Sequence, residues 1–172
     1  MPNHVHVIPA PAHEGGGARA VGLIHQRDSQ YLNFREGTTG QRWQNRFCSC
    51  PMDGAYADRA RRDIERNPAR AGMVARAGDD PWSSAQAHGT LEDPTHLLDL
   101  DAWRAAWPVA AWRAPLALAE EPGESDHFRR ATQVGRPLGA EEFVTNLEAS
   151  TGRRLRPHPV GSPRKTAEDR AD

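Results

Sequence analysis

The sequence predicts an α+β fold followed by a helical C-terminal extension, and three observations carry that prediction. Residues 1–8, Met-Pro-Asn-His-Val-His-Val-Ile, alternate polar and apolar side chains, the period-two pattern of a strand. Residues 41–50, Gln-Arg-Trp-Gln-Asn-Arg-Phe-Cys-Ser-Cys, read as a second strand or an extended segment leading into a helix. The rest of the chain carries helical periodicity punctuated by proline and glycine.

The opening strand stops at Pro9, and the Pro/Gly-rich stretch 9–19 reads as a loop. A helix is expected over about 20–35, where Val21, Ile24, Tyr31 and Phe34 make a loose apolar stripe and Tyr31 should pack in a core; Gly37 to Gly40 ends it. Asp53 suits the N-cap of the next helix, expected from about 54 to 67 because Pro68 disfavours helical geometry at Asn67. A short helical turn over 69–74 and a turn at 78–81 follow. Leu97, Leu98, Leu100, Trp103, Trp107 and Trp112 mark a helix up to Pro108 and an Ala-rich segment after it, with the tryptophans read as core. Two further helices, about 125–134 and 140–151, are joined by a Gly-Arg-Pro-Leu-Gly turn, the layout of a helical hairpin. Residues 152–172 are basic and read as a disordered tail.

Composition narrows the class. The chain has 172 residues with a formal net charge of −1. Its mean hydropathy of −0.77 leaves material for only a modest core. No apolar run approaches the roughly 18 residues of a membrane span, so no membrane partner and a cytoplasmic setting are expected. The near-zero total hides segregation: residues 1–80 carry +2, residues 81–128 carry −6 and residues 129–172 carry +3. All but one of the basic residues are arginine, Lys165 being the exception. Arginine's planar fork suits bidentate phosphate contacts. Cys48 and Cys50 are too close in sequence for an unstrained disulfide and are expected to be reduced.

The chemistry gathers around two histidines. Side chains alternate across a strand, so His4 and His6 share one face, about 7 Å apart, and can hold one metal ion. Arg42, Arg46, Arg66 and Arg70 flank the helix before Pro68, with Trp43 and Phe47 interleaved among the first pair. Arginines beside aromatic rings suit single-stranded or hairpin DNA, in which phosphates take the charge and bases stack.

Four blocks in order extend this pattern. The His-Val-His segment (1–8), Arg-Trp-Gln-Asn-Arg-Phe-Cys-Ser (42–49), Ile-Glu-Arg-Asn-Pro-Ala-Arg-Ala-Gly-Met-Val (64–74) and Pro-Trp-Ser-Ser-Ala (81–85) resemble the REP-associated tyrosine transposases, of the insertion-sequence-200-like, single-tyrosine HUH superfamily. The stretch 135–148 is similar to the C-terminal extension many of them carry. The resemblance implies a ferredoxin-like antiparallel sheet with helices in a partial HUH domain (1–90), then a Trp-rich helical segment (91–119), a helical hairpin (120–151) and the tail (152–172). It implies a divalent metal, Mg²⁺ or Mn²⁺, held by His4, His6 and Asn67. It also implies DNA cleavage through a covalent phosphotyrosine in DNA transposition, a hairpin or single-stranded DNA partner bound through Arg42, Trp43, Arg46, Arg66 and Arg70, and monomers or homodimers.

This chain departs from the family at two places. Asp63 stands at the nucleophilic tyrosine's position, four residues before Asn67 and on the same helix face. A carboxylate does not readily replace the phenol, and Tyr56 lies two helical turns earlier, so strand cleavage is expected to be lost. Secondly, Met1 coincides with an internal methionine of the family's His motif, so the opening strands are expected to be missing and the sheet incomplete, either by truncation or by a late-assigned start. The resulting expectation is a DNA-binding protein of the transposase family that is catalytically degenerate. The alternatives are a structural zinc protein using His4, His6, Cys48 and Cys50, or a domesticated non-catalytic DNA-binding regulator.

Overall fold

The computed structural model describes residues 4–117 and 123–157. Seven α-helices and one 3₁₀ turn make up the regular structure of these residues, and none of them lies in a strand. The ferredoxin-like α+β fold is therefore overturned: the described chain is helical. Residues 4–8 make no ladder, and residues 41–50 are irregular with bends at 43–46. The physical reason is that alternation only makes a segment capable of pairing; its backbone N–H and C=O groups still need a neighbouring strand, and none is present here. The one vestige of pairing is an isolated parallel bridge between Met52 and Leu138. Residues 1–3 of the expected strand and most of the expected tail lie outside the described residues.

The helices are α1 (Gly16–Glu36), α2 (Gly54–Arg70), α3 (Ala85–Thr90), α4 (Leu100–Ala106), α5 (Val109–Ala117), α6 (Glu124–Val134) and α7 (Glu141–Thr151). Helix α1 starts earlier than its apolar stripe suggested, taking in Gly16 and Gly17 behind a left-handed Gly15. Helix α2 begins where Asp53 predicts, the carboxylate Oδ1 accepting from the Tyr56 N–H at 2.9 Å. It then runs through Pro68 rather than stopping before it. Proline is tolerated there because only the bond back to Ile64 is forfeited and the end is closed independently. Gly72, at φ 69, lets Met73 N–H donate to the Pro68 carbonyl at 3.0 Å and Gly72 N–H to Ala69 at 3.0 Å.

Helix α2 is the hub of the molecule. At 100° per residue, Arg61, Glu65 and Pro68 fall on one side and Tyr56, Ala60, Asp63, Asn67 and Arg70 on the other. Around the first half of the second side, Ala60 packs with Phe128, Ala131 and Leu138 from the C-terminal hairpin, joined by Ile8, Cys50, Met52 and Tyr56. On the first side lie Trp103 of α4, Trp112 of α5 and His88 of α3.

A single carboxylate ties the hairpin to the hub. Asp53 Oδ2 accepts from the Ala140 N–H at 2.8 Å, at the start of α7, while Oδ1 caps α2. Those backbone donors hold the Asp53 carboxyl below its usual 3.8, the Tyr56 N–H first and the Ala140 N–H second. The approach is close enough that a Cβ on Gly139 would fall 2.3 Å from Phe143 Cδ1 and 3.0 Å from Asp53 Oδ2. No helix among the described residues is long and apolar enough to cross a membrane.

Candidate functional site

The second half of α2 carries the sequence-predicted site. Asp63, Asn67 and Arg70 repeat at i, i+4 and i+7 and so line one face. The Arg70 guanidinium lies across the two acidic-type oxygens of that face, donating to Asp63 Oδ1 at 2.7 Å and to Asn67 Oδ1 at 2.5 Å.

His4 and His6 lie in the extended segment before α1, both exposed. Their rings meet edge to face with centroids 4.9 Å apart. The His6 imidazole is held below its ordinary 6.5, first by desolvation and then by the His4 charge; Asp63 pulls it upward and Arg70 downward. His4, Asp63 and Arg70 therefore all act on His6 through their charges.

The metal fits less well than the grouping. Two imidazoles and a hard oxygen are the right donor chemistry for Mg²⁺ or Mn²⁺. Here, however, a guanidinium sits on the oxygens of Asn67 and Asp63 that such an ion would need. No cluster of three or more His, Cys, Asp or Glu able to hold a metal occurs among the described residues. As they stand, these residues do not fit the ion. The alternative zinc set is not assembled either. Cys48 is exposed, while the half-buried Cys50 turns its Sγ to the Arg136 carbonyl at 2.8 Å. Burial pushes the Cys50 thiol up, away from the thiolate a zinc site requires.

The remaining predicted DNA contacts divide between two places. Arg66 is half-buried on α2, one turn before Arg70. Arg42 and Trp43 instead fold back on α1: Arg42 pairs with Glu36 at 2.7 Å and donates to Asn33 at 2.6 Å. Trp43 stacks on His25 with centroids 3.9 Å apart and 9° between planes, and its Nε1 donates to Asp28 at 3.1 Å. Arg46 is exposed, beside a Phe47 that is 40% exposed. Of the two tyrosines, Tyr56 is at the α6 core with the Arg59 guanidinium 4.0 Å above its ring. Tyr31, expected in a core, is 61% exposed on α1. The expectation failed because, among the described residues, no residue of α1 is buried.

Sequence reasoning missed a second polar constellation on the opposite side of α2. Glu65 is fully buried. Its Oε1 accepts from Ser84 Oγ at 2.7 Å and contacts His88 Nδ1, while Oε2 accepts from Trp112 Nε1 at 2.7 Å. His88 is sandwiched by aromatic rings, stacked on Trp103 at 3.9 Å and edge-on to Trp112 at 6.3 Å. Arg61 adds a guanidinium 5.1 Å from the Trp103 ring. The available signal was the tryptophans themselves, since a buried indole N–H needs an acceptor. Sealed in this way, the Glu65 cluster holds α3, α4 and α5 against α2 and offers nothing to a ligand.

Searches of protein-family models, curated proteins and solved structures return no match to this chain.

Proposed function

We propose that this chain is a DNA-binding relative of the REP-associated tyrosine transposases that no longer cleaves DNA. The observation that carries the reading is that His6, paired edge to face with His4, lies near enough to α2 for the charges of Asp63 and Arg70 to act on it, while Arg70 binds both Asp63 and Asn67. That face carries Arg70 and imidazoles, and Arg66 one turn away; a phosphate would bind there by exchanging for the carboxylate and amide partners Arg70 now has. Binding of a single-stranded or hairpin DNA is then mostly electrostatic, with the exposed Arg46 and Phe47 as a second contact. The reading needs no sheet and routes no step through a metal.

Loss of cleavage follows from what stands at the nucleophile position. Asp63 is already paired with Arg70, and an acyl phosphate made there would hydrolyse rather than be passed to a second strand. Tyr56 sits on the same side of α2 but about 10 Å away along the axis and against the α6 core. The test is a labelled hairpin oligonucleotide incubated with the full chain and Mn²⁺. A salt-sensitive gel shift that weakens in the Arg66→Ala/Arg70→Ala double variant, with no covalent adduct on a denaturing gel, is expected. An adduct that disappears in Tyr56→Phe would show that cleavage survives; absence of any shift at low salt would remove DNA as the partner.

A further inference from the structure

The family resemblance picks out Arg66 and Arg70 on α2, and two arginines before them fall in the same line. At 100° per residue Arg59, Arg62, Arg66 and Arg70 lie within about 80° of one another, a single stripe along the helix. The buried Ala60, Glu65 and Pro68 occupy the opposite arc, so the stripe is the outward side of the hub helix. Arg70 is exposed and the other three are half-buried. Successive steps of about 4.5, 6 and 6 Å take the row along roughly 17 Å of axis.

The acidic residues of α2 do not neutralise this row evenly. Asp58 pairs with Arg61 at 2.7 Å on the tryptophan side, where Arg61 lies against the Trp103 ring. Glu65 is fully buried and bound to Trp112 Nε1. Asp63, at the edge of the stripe, pairs with Arg70 at 2.7 Å. Arg59 rests over the Tyr56 ring, 4.0 Å from its centroid. Neither Arg59 nor Arg62 forms an ion pair with a carboxylate among the described residues. Like charges at i, i+3 and i, i+4 repel, so Arg59, Arg62 and Arg66 set in sequence weaken the helix. A partner that carries negative charges in a line removes that repulsion.

We propose that this stripe is the track for one strand of DNA, with the sugar-phosphate backbone laid along α2 and Arg59 and Arg62 holding phosphates beyond those at Arg66 and Arg70. The inference rests on the DNA-binding reading above and extends it from a point to a line. A single strand suits the stripe, since its phosphates can follow a straight row of cations, whereas those of a duplex wind away from it. Each guanidinium fork offers a phosphate two parallel N–H donors.

Fluorescence anisotropy of a labelled oligothymidylate of about 12 nucleotides with the full chain, over a series of salt concentrations, tests it. Arg59→Gln and Arg62→Gln should each weaken binding about fivefold and lower the slope of log affinity against log salt by about 0.7 in magnitude. Arg62→Lys should keep the slope, because the charge remains. Arg104→Gln, on α4, should change neither quantity. Arg62→Gln should leave the helical circular dichroism unchanged, whereas Arg59→Gln also gives up the contact with Tyr56. Binding that keeps its strength and slope in Arg59→Gln/Arg62→Gln but weakens in Arg66→Ala/Arg70→Ala would overturn the track and leave the DNA-binding reading standing. An equal loss in Arg104→Gln, or a duplex of the same length that competes better than the single strand, would also overturn the track. Absence of binding at low salt would remove both.

Discussion

Helix α2 carries a carboxylate beside an imidazole on each of its two sides, and the two pairs have opposite fates. Glu65 and His88 are enclosed by Trp103 and Trp112, and every buried polar side-chain atom among the described residues has a partner. Asp63 and His6 lie outside any such enclosure, His6 exposed and Asp63 paired with a partly exposed Arg70. The residue types are alike; the difference is the lid of indole rings. A carboxylate shut in with a full set of donors becomes mortar, because its charge cannot be offered elsewhere without leaving donors unpaired. A carboxylate at the rim keeps partners that can be exchanged for a ligand. The contrast argues that function on this chain belongs to the Asp63 side.

The largest effect should come from breaking the enclosed pair. Glu65→Ala strands Trp112 Nε1, Ser84 Oγ and His88 Nδ1 in a dry interior and should cost about 3–5 kcal/mol in urea unfolding. A loss below about 1 kcal/mol would mean the cluster is wet and the two sides are not different in kind.

Asp53→Ala should come next, at about 1–2 kcal/mol, because one carboxylate serves the starts of both α2 and α7. Its pH dependence has a definite sign. The folded carboxyl lies below 3.8, so its stabilisation is complete above that value and disappears as pH falls through the folded pKa. The wild type and the alanine variant should therefore converge in stability at the acid end of the titration.

The smallest effect on stability should be Arg70→Ala, under about 1 kcal/mol, since the guanidinium is partly exposed. The same change removes a cation from beside Asn67 and Asp63, so Mn²⁺ affinity, followed by water-proton relaxation, should rise. An unchanged affinity would show that Arg70 is not what keeps an ion from these oxygens.

The helices were legible where local chemistry marks their ends: Asp53 at the N-terminus of α2, and the Gly-Arg-Pro-Leu-Gly turn between α6 and α7, whose Gly135 closes α6. The sheet was misread because period-two alternation over residues 1–8 describes a strand's faces and says nothing about whether a neighbour exists to bond it. The edge-to-face pair of His4 and His6, and Asp63 and Asn67 on one face of α2, follow from spacing. That Arg70 would lie over both oxygens does not, because an arginine's choice among carboxylates is settled only by the packed geometry. Glu65 stayed hidden because Arg61, Glu65 and Pro68 look like a solvent face until Trp103 and Trp112 are placed opposite it.

The Asp53 clip also bears on the order in which this chain can assemble as it is made. Helix α2 is complete at residue 70, but the amide that shares its capping carboxylate belongs to residue 140. At ribosomal speeds of about 5–20 residues per second, roughly 4–14 s separate the two. Throughout that interval Asp53 serves α2 alone, and Ala60 waits for Phe128, Ala131 and Leu138. The nascent chain must carry its hub helix half-dressed, so this stretch is where a chaperone would have most to hold.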